Sequence, residues 1–135
     1  MISIGKNIQI ARVEVRNVDK VINHLGSTVQ LVSVECWRAV AFAAVLAERS
    51  MERKTNHAKT IGGELLLRLA GTHQIKEAIK KIGVKTGYNY LVFFGGREEA
   101  KAFIDKLELR EVELKECPDD KLKKLFEKSA LVEIL

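Results

Sequence analysis

Proline is nearly missing from this chain, since Pro118 is the one proline among 135 residues. Because proline interrupts helices and strands, its scarcity argues for a compact, helix-rich domain with few long loops. The sequence also has no internal repeat and no low-complexity tract, so we expect a single domain over residues 1–135. Apolar residues make up 47% of the chain, which is enough for one sizeable core.

Long apolar runs are missing as well. The most apolar stretch, residues 34–47, is interrupted by Glu35 and Arg38, and it is too short to span a bilayer. The first residues do not have the pattern of a secretory signal, so we expect a cytoplasmic protein with no membrane partner. In that compartment Cys36 and Cys117 are expected to be reduced thiols.

The sequence also lacks a recognisable set of catalytic residues. Its three histidines and two cysteines show no C-x-x-C or H-x-x-x-H spacing, so we predict no metal site and no cofactor. Cys36 lies near the start of a predicted helix, where a thiol can become nucleophilic, and the alternative is a buried structural cysteine. No other side chains fit acid–base or nucleophilic catalysis, and we predict no enzymatic activity.

One glycine-rich turn keeps an enzymatic alternative open. Gly95, Gly96 and Arg97 follow a hydrophobic strand pattern and open a predicted helix, where backbone N–H groups can hold a phosphate. The run matches neither the P-loop nor the G-x-G-x-x-G pattern. The other interpretation is a tight strand-to-helix turn, and nucleotide binding by the isolated chain separates the two.

The order of apolar and polar residues predicts about four strands and about six helices. Residues 8–15 alternate as a half-buried strand, with a slip at residues 11–12 that indicates a bulge. Residues 88–94 have the strongest strand pattern and are expected at the centre of the sheet. The other strands are predicted at residues 29–33 and, as an edge, at 109–114. The helices are predicted at residues 18–25, 35–53, 60–70, 73–82, 97–107 and 118–131. The fold class is therefore α/β or α+β, with a small, mainly antiparallel or mixed sheet covered by helices, of which residues 35–53 are expected to be the central buried one.

Positive charge is concentrated in the middle of the chain. Residues 53–85 contain eight Lys or Arg against two acidic residues, so this segment carries +6 while the total is +5 and the rest carries −1. Such a segment suggests an anionic partner, with nucleic acid first. The alternative is a solvated, lysine-rich helix face.

Most of this charge falls on two predicted helices that meet at Gly71 and Thr72. Gly71 is a natural stop for the first helix, and Thr72 is a natural cap for the second. Within the first helix, Gly62 and Gly63 either occupy its first turn or mark a close backbone contact. A stripe at helical spacing is predicted to be buried: Ile75, Ala78, Ile79 and Ile82.

The junction of these helices has the chemistry of a phosphate site. A helix N-terminus beside lysines binds anions, and an amide side chain can read a base edge. Such binding is strongly dependent on salt. The residues predicted to form this surface are Lys59, Arg68, His73, Gln74, Lys76, Lys80 and Lys81.

Several runs carry a family resemblance in their order and spacing. They are residues 29–32 (VQLV), a Trp37-containing helix with residues 42–44 (FAA), residues 56–67 (NHAKTIGGELLL) and residues 82–84 (IGV). The most specific run is residues 69–79, LAGTHQIKEAI. Together they resemble the small, kinase-binding subunit of the KEOPS complex in its archaeal form. The chain departs from that family at His73, where arginine is usual and permanently charged.

The resemblance implies a non-catalytic accessory subunit. KEOPS installs the threonylcarbamoyl group on an adenosine of the tRNA anticodon loop. Proteins similar to this one bind the N-lobe of its kinase-like ATPase subunit and recruit tRNA through the single-stranded 3′ CCA end. The resemblance implies tRNA-binding roles for Lys59, Gly71, Thr72, His73, Gln74, Ile75 and Lys76, with Arg68, Lys80 and Arg53 as secondary positions. For Ile75 the alternative is a place in the core.

A second surface must bind the kinase-like subunit and, through it, the larger KEOPS assembly. We predict it on the last helix and the apolar tail, at Leu122, Leu125, Phe126, Leu131 and Ile134. The alternative is that this helix packs on the sheet, although the tail has no evident place in a monomer, which favours an interface. A weak homodimer through the tail is a further alternative, as is a pure protein-interaction module without tRNA binding.

Overall fold

The computed structural model describes residues 1–132. Within them lies a five-stranded sheet whose neighbouring strands all run antiparallel. Its strands are β1 (Ile2–Ile4), β2 (Ile8–Val15), β3 (Val29–Val32), β4 (Gly87–Phe93) and β5 (Arg110–Val112). The strand order is β1-β2-β4-β3, and β5 also pairs with β2. The predicted α+β class and the central position of β4 are confirmed, while β1 was missed because three residues are too few to show a period.

Strand β2 is regular over its whole length. Its pairing with β4 runs without interruption through seven residue pairs, so the bulge predicted at residues 11–12 is wrong. The apolar residues switch from even to odd positions along the strand because both faces of the sheet are covered. Ile8 and Ile10 belong to one core, whereas Val13 and Val15 belong to the core on the other face.

Six α-helices and a short 3-10 helix surround the sheet in the described part of the chain. They are α1 (Val18–Val21), the 3-10 helix (Ile22–His24), α2 (Trp37–Arg53), α3 (Ile61–Ala70), α4 (Ile75–Ile82), α5 (Arg97–Lys106) and α6 (Asp119–Leu131). Helices α2, α3 and α4 contribute to one core, and α1 and α5 contribute to the other. No helix within residues 1–132 is long and apolar enough to cross a membrane.

Helix α3 is the most completely buried helix. All of its residues from Gly62 to Ala70 are buried, because α2, α4 and α6 pack around it. The sequence predicted that α2 would be the central buried helix, but α2 alternates buried alanines such as Ala43 and Ala47 with exposed positions such as Arg49. The centre of the helical layer is therefore α3, which leads directly into the predicted nucleic-acid surface.

Cys36 and Cys117 form a disulfide, so the expectation of two reduced thiols is wrong. Their Cα atoms lie 5.4 Å apart although 81 positions separate them in sequence, and pairing depends on this proximity in the fold. The bond joins the N-cap of α2 to the segment that leads into α6. Beside it, the Glu116 carboxylate accepts hydrogen bonds from Trp37 Nε1 at 2.7 Å and from Arg38 Nε at 3.0 Å.

Both explanations for the glycine pair in α3 hold. Gly62 and Gly63 lie in its first turn, where the Thr60 hydroxyl accepts the N–H of Gly63 at 3.0 Å. A Cβ added to Gly62 would lie 3.0 Å from the carbonyl oxygen of Gly26, closer than most side chains tolerate. The start of α3 therefore packs directly on the backbone of the loop before β3.

Candidate nucleic-acid interface

The turn between α3 and α4 contains most of the residues predicted to bind RNA. Helix α3 ends at Gly71, which adopts a left-handed φ of 71° and donates its N–H to the Leu67 carbonyl. The Thr72 hydroxyl then accepts the N–H of Gln74 at 3.2 Å. Helix α4 therefore begins at Ile75 with Gln74 as its N-cap, later than the predicted start at residue 73. The predicted role of Thr72 as the cap is wrong, because its hydroxyl stabilises a turn ahead of the helix.

Two histidines stack beside this turn. The ring centroids of His57 and His73 lie 4.1 Å apart, and the ring planes are inclined by 21°. His73 Nε2 lies 2.8 Å from the carbonyl oxygen of Val132. Because a carbonyl only accepts hydrogen bonds, Nε2 carries the proton in this contact. His57 lies in the loop between α2 and α3, and no spacing in the sequence pointed to it.

Three cations on this side of the molecule are open to solvent. Lys59 precedes α3, whereas Lys76 and Lys80 lie on successive turns of α4, and all three are exposed. Among the carboxylates that the structure describes, none lies within 4.0 Å of their ammonium nitrogens. Lys81 differs, because its nitrogen lies 3.1 Å from a Glu77 oxygen. Lys59, Lys76 and Lys80 are therefore free to neutralise phosphates of a bound nucleic acid.

Helix α4 exposes two isoleucines, so the predicted burial of its apolar stripe is wrong for these positions. Ile75 is 41% exposed and Ile79 is 52% exposed, whereas Ala78 is fully buried. The helix packs against α3, and the side chains of Ile75 and Ile79 remain partly open to solvent. The core alternative for Ile75 is therefore wrong, and an apolar side chain stands beside Lys76, where it can contact a base.

Arg68 does not lie on the surface, so its predicted place on the exposed basic face is wrong. Its side chain and that of Glu64 are both 0% exposed, and Arg68 Nε donates to a Glu64 oxygen at 3.1 Å. The other Glu64 oxygen accepts the N–H groups of His57 at 2.7 Å and Ala58 at 2.9 Å. The buried pair thus positions the loop that carries His57 and Lys59. The sequence analysis missed Glu64, for which the i,i+4 spacing to Arg68 was the available signal.

Helix α6 covers part of the turn between α3 and α4. The aliphatic stem of Lys128 lies so close to Gly71 that a Cβ on the glycine would overlap it. Just beyond the helix, the Val132 carbonyl holds His73. The end of α6 therefore lies over the half-buried Gly71, whereas His73, Lys59 and Lys76 are exposed.

The residues predicted to bind a partner protein are mostly engaged in packing α6 onto the helical layer rather than onto the sheet. Three of them are half-buried: Leu122, Leu125 and Phe126. The ring centroid of Phe126 lies 4.6 Å from that of Phe42 on α2. Leu131 is 51% exposed, and Ile134 lies outside the described residues. An apolar partner surface on α6 is thus limited to its C-terminal end.

Arg53 stands apart from the α4 lysines. It is the last residue of α2 and is exposed. It lines a cavity together with Arg49 and the buried Arg68. The structure therefore groups the two secondary tRNA-binding candidates, Arg53 and Arg68, around this cavity.

The glycine-rich turn before α5 is filled by the protein itself. A Cβ added to Gly95 would lie 2.7 Å from the ring of Phe93, and the Gly95 carbonyl accepts a hydrogen bond from Gln9 Nε2 at 3.1 Å. Arg97 donates to the Ser3 hydroxyl at 3.2 Å. These contacts favour the tight-turn interpretation. Within residues 1–132, His, Cys, Asp and Glu side chains form no group of three that is arranged to hold a metal ion.

Shifted pKa values occur where the segment before α6 meets the rest of the fold. Hydrogen bonds from Trp37 and Arg38 lower the pKa of the Glu116 carboxyl. Burial raises the pKa of the Tyr90 phenol, although a hydrogen bond from the Lys115 N–H at 2.7 Å opposes this shift. These groups hold the segment in place and lie on elements other than the α3–α4 turn.

A relative of known family matches almost the whole chain. The KEOPS complex subunit Cgi121 of Pyrococcus abyssi (strain GE5 / Orsay) is 42% identical over 131 residues, which cover 93% of this chain and 77% of the relative. The chain belongs to the Cgi121 family. The resemblance inferred from the sequence is thereby confirmed. No protein family model matches the chain.

In this Cgi121-family chain, the fold brings most of the implied tRNA-binding residues to one place. The turn, the first residues of α4 and the preceding loop supply Gly71, Thr72, His73, Gln74, Ile75, Lys76 and Lys59. Lys80 extends this set by one turn of α4. Arg68 is buried behind it, and the half-buried residues of α6 lie on the neighbouring helix. We call the exposed set of Lys59, Ile75, Lys76 and Lys80 the lysine face.

Proposed function

We propose that this chain is a non-catalytic accessory subunit of the KEOPS complex that recruits tRNA through its 3′ CCA end. In this role it also binds the kinase-like ATPase subunit and so joins the larger assembly in the cytoplasm. It supplies a binding surface for the threonylcarbamoyl modification of the anticodon loop and performs no reaction itself. The family membership supports a place in KEOPS, and the lysine face supports the choice of RNA as a ligand.

The observation that carries the tRNA proposal is the absence of described carboxylates beside three exposed lysines. Lys59, Lys76 and Lys80 have no acidic neighbour within 4.0 Å among residues 1–132, whereas Lys81 on the same helix is paired. Exposed Ile75 lies among these cations. A short single strand suits this surface because its phosphates can meet the lysines while an unstacked base contacts an apolar side chain.

A sharp test compares intact tRNA with tRNA that lacks the CCA end across a series of salt concentrations. We expect tighter binding of the intact form. The slope of log affinity against log salt should become less steep by about 0.7 for each lost single-strand phosphate contact. Lys59→Glu and Lys76→Glu should weaken binding. Lys101→Glu on α5, at the other face of the sheet, is the matched control. Equal affinity for both tRNA forms would reject recruitment by the 3′ end.

For the kinase-like subunit, we propose a contact surface that contains Leu131, at the exposed C-terminal end of α6, together with Ile134. The half-buried Leu122, Leu125 and Phe126 support α6 against α2 and α3. Leu131→Asp should weaken the complex with the kinase-like subunit, measured by calorimetry, and leave the thermal midpoint of the free chain unchanged. Light scattering of the free chain over a concentration series separates this interface from a weak homodimer through the same surface.

A second candidate is a pure protein-interaction module. The observation in its favour is that α6 lies over the half-buried Gly71 and that the Val132 carbonyl already engages His73 Nε2. This function predicts tight binding of the kinase-like subunit and no shift of tRNA in a mobility assay. The same tRNA titration therefore distinguishes the two functions.

A further inference from the structure

The stacked imidazoles of His57 and His73 lie at the surface of the molecule. Each ring covers one face of the other, because the ring centroids are 4.1 Å apart and the ring planes differ by only 21°. Both residues are nevertheless exposed. Solvent therefore reaches the pair from the sides that do not meet, and the outer face of the His57 ring is one of these sides.

The two rings are anchored by different parts of the fold. His73 Nε2 donates to the Val132 carbonyl at 2.8 Å, which fixes one edge of its ring. The backbone of His57 is fixed by Glu64, whose buried carboxylate accepts the His57 N–H at 2.7 Å. A surface that is already ordered in this way loses little conformational entropy when a planar group stacks on it.

The surroundings of the His57 ring suit a nucleotide. Lys59 lies two residues further along the same loop and is exposed. No carboxylate of residues 1–132 lies within 4.0 Å of its ammonium nitrogen. An aromatic ring with an open cation in the same loop matches the two parts of a single-stranded nucleotide, since the base stacks on the ring and a phosphate meets the cation.

We propose that the outer face of His57 stacks on one unpaired base of the bound RNA, and that Lys59 contacts a neighbouring phosphate. This assignment rests on the proposed function, which supplies the single-stranded 3′ end of tRNA. Histidine is one of the side chains on which unstacked RNA bases are held. In this arrangement His57 contacts the base, and His73 supports the His57 ring from its other face.

The test compares three replacements of His57 in the intact chain by titration with tRNA. His57→Ala removes the ring and should raise the Kd about tenfold, which is the usual order for the loss of one stacked base. His57→Phe retains an aromatic ring and should bind nearly as tightly as the unchanged chain. His57→Leu retains an apolar side chain without a ring and should resemble His57→Ala. All three variants keep the backbone N–H that Glu64 accepts.

The matched control is His24→Ala. His24 is exposed as His57 is, and its ring packs edge-on at 6.3 Å from the ring of Phe103, which belongs to the core on the other face of the sheet. This variant should leave the Kd for tRNA unchanged. Thermal midpoints show that each variant is folded before its Kd is compared.

The dependence on salt separates stacking from charge. Stacking releases no counterions, so the slope of log affinity against log salt should be the same for His57→Ala as for the unchanged chain. Lys59→Glu should make this slope less steep, because it removes a phosphate contact. A slope that changes in His57→Ala as it does in Lys59→Glu overturns the assignment of a stacking role.

A second comparison identifies the base. His57→Ala should weaken the binding of intact tRNA and leave the binding of tRNA without the CCA end unchanged. An equal loss for both tRNA forms overturns the assignment to the 3′ end. If intact tRNA binds the unchanged chain and His57→Ala equally, or binds the Phe and Leu variants equally, this inference fails while the proposed function stands. If the unchanged chain binds no tRNA, the proposed function fails and the inference fails with it.

Discussion

The imidazole of His73 packs against that of His57 at a centroid distance of 4.1 Å, while its Nε2 lies 2.8 Å from the Val132 carbonyl. One face of the ring thus contacts the loop before α3, and one edge contacts the chain just beyond α6. The Glu64 carboxylate accepts a hydrogen bond from the backbone N–H of His57. The residue at position 73 therefore connects three segments of the candidate interface.

Replacing His73 with arginine should tighten tRNA binding at low salt. Arginine carries a permanent charge, so the substitution places a fixed cation beside Lys76. We expect the slope of log affinity against log salt to steepen by about 0.7, the value of one added contact to a single strand. His73→Gln is the control, since it adds no charge. An identical slope for the arginine variant would contradict a phosphate contact at this position.

Glu64→Gln should strongly destabilise the fold. The pair with Arg68 is completely buried, and removal of one partner from such a pair costs about 3–5 kcal/mol of unfolding free energy. The matched control is Glu77→Gln, which breaks the exposed i,i+4 pair with Lys81 and should cost less than about 1 kcal/mol. Chemical denaturation measures both values. Similar losses of unfolding free energy in the two variants would contradict the expectation that the buried pair contributes more.

Amide hydrogen exchange gives Glu64 a second readout. Its carboxylate accepts the N–H groups of His57 and Ala58, so these two amides should exchange faster in Glu64→Gln than in Glu77→Gln. If the exchange rates of these two loop amides are unchanged, the loop is positioned by other contacts. This outcome separates the positioning role of Glu64 from its contribution to the stability of the core.

Gly71→Ala should lose stability for two separate reasons. A side chain at φ 71° costs about 1–2 kcal/mol, and the new Cβ would also overlap the stem of Lys128. Gly5→Ala is the control for the first cost alone, because Gly5 has φ 63° with no atom within 4 Å of an added Cβ. We expect Gly71→Ala to lower the free energy of unfolding more than Gly5→Ala does.

Adding Lys128→Ala should remove most of that difference, because the overlap disappears while the backbone conformation stays. The measurement is chemical denaturation of the two glycine variants in both backgrounds. Equal losses of unfolding free energy for Gly71→Ala and Gly5→Ala in the presence of Lys128 would show that the Lys128 stem moves away at no cost. The α6 contact over the turn would then be loose rather than packed.

The stability of the fold should decline in alkaline solution through Tyr90. Burial raises its pKa, so the folded state favours the protonated phenol. The resulting stabilisation is fully present below the ordinary tyrosine pKa of about 10, and it is lost as the pH rises through the higher pKa of the folded state. Tyr90→Phe cannot ionise at this position and should show a weaker decline. Denaturation curves above and below pH ~10 compare the two proteins.

Local patterns in the sequence located most elements correctly. The apolar run at residues 88–94 indicated the central strand β4, and Thr60 and Gly71 marked the two ends of α3. These features act over a few residues, so the order of residues carries them directly. Gly71 was predictable as the end of α3 for the same reason, whereas Thr72 was predicted as the cap of α4 and the N-cap is Gln74.

Features that depend on distant neighbours were not predictable. A surface role for Arg68 follows from its charge, but helices on all sides of α3 bury it. Ile79 has the spacing of a core residue, yet it is 52% exposed. The stacking of His57 on His73 brings together a loop and a turn with no common pattern. Cys36 and Cys117 lie 81 positions apart and meet only in the fold.

The disulfide between Cys36 and Cys117 closes a covalent ring that contains α2, α3, α4 and the central strand. A protease that cuts once in the loop at residues 54–60 would therefore leave a single covalent molecule. Its two fragments separate only after reduction. The fragment that ends with α2 would remain tethered to the fragment that carries Lys59 and Lys76, so α2 stays joined to the helices of the candidate RNA surface after nicking that would divide an open chain.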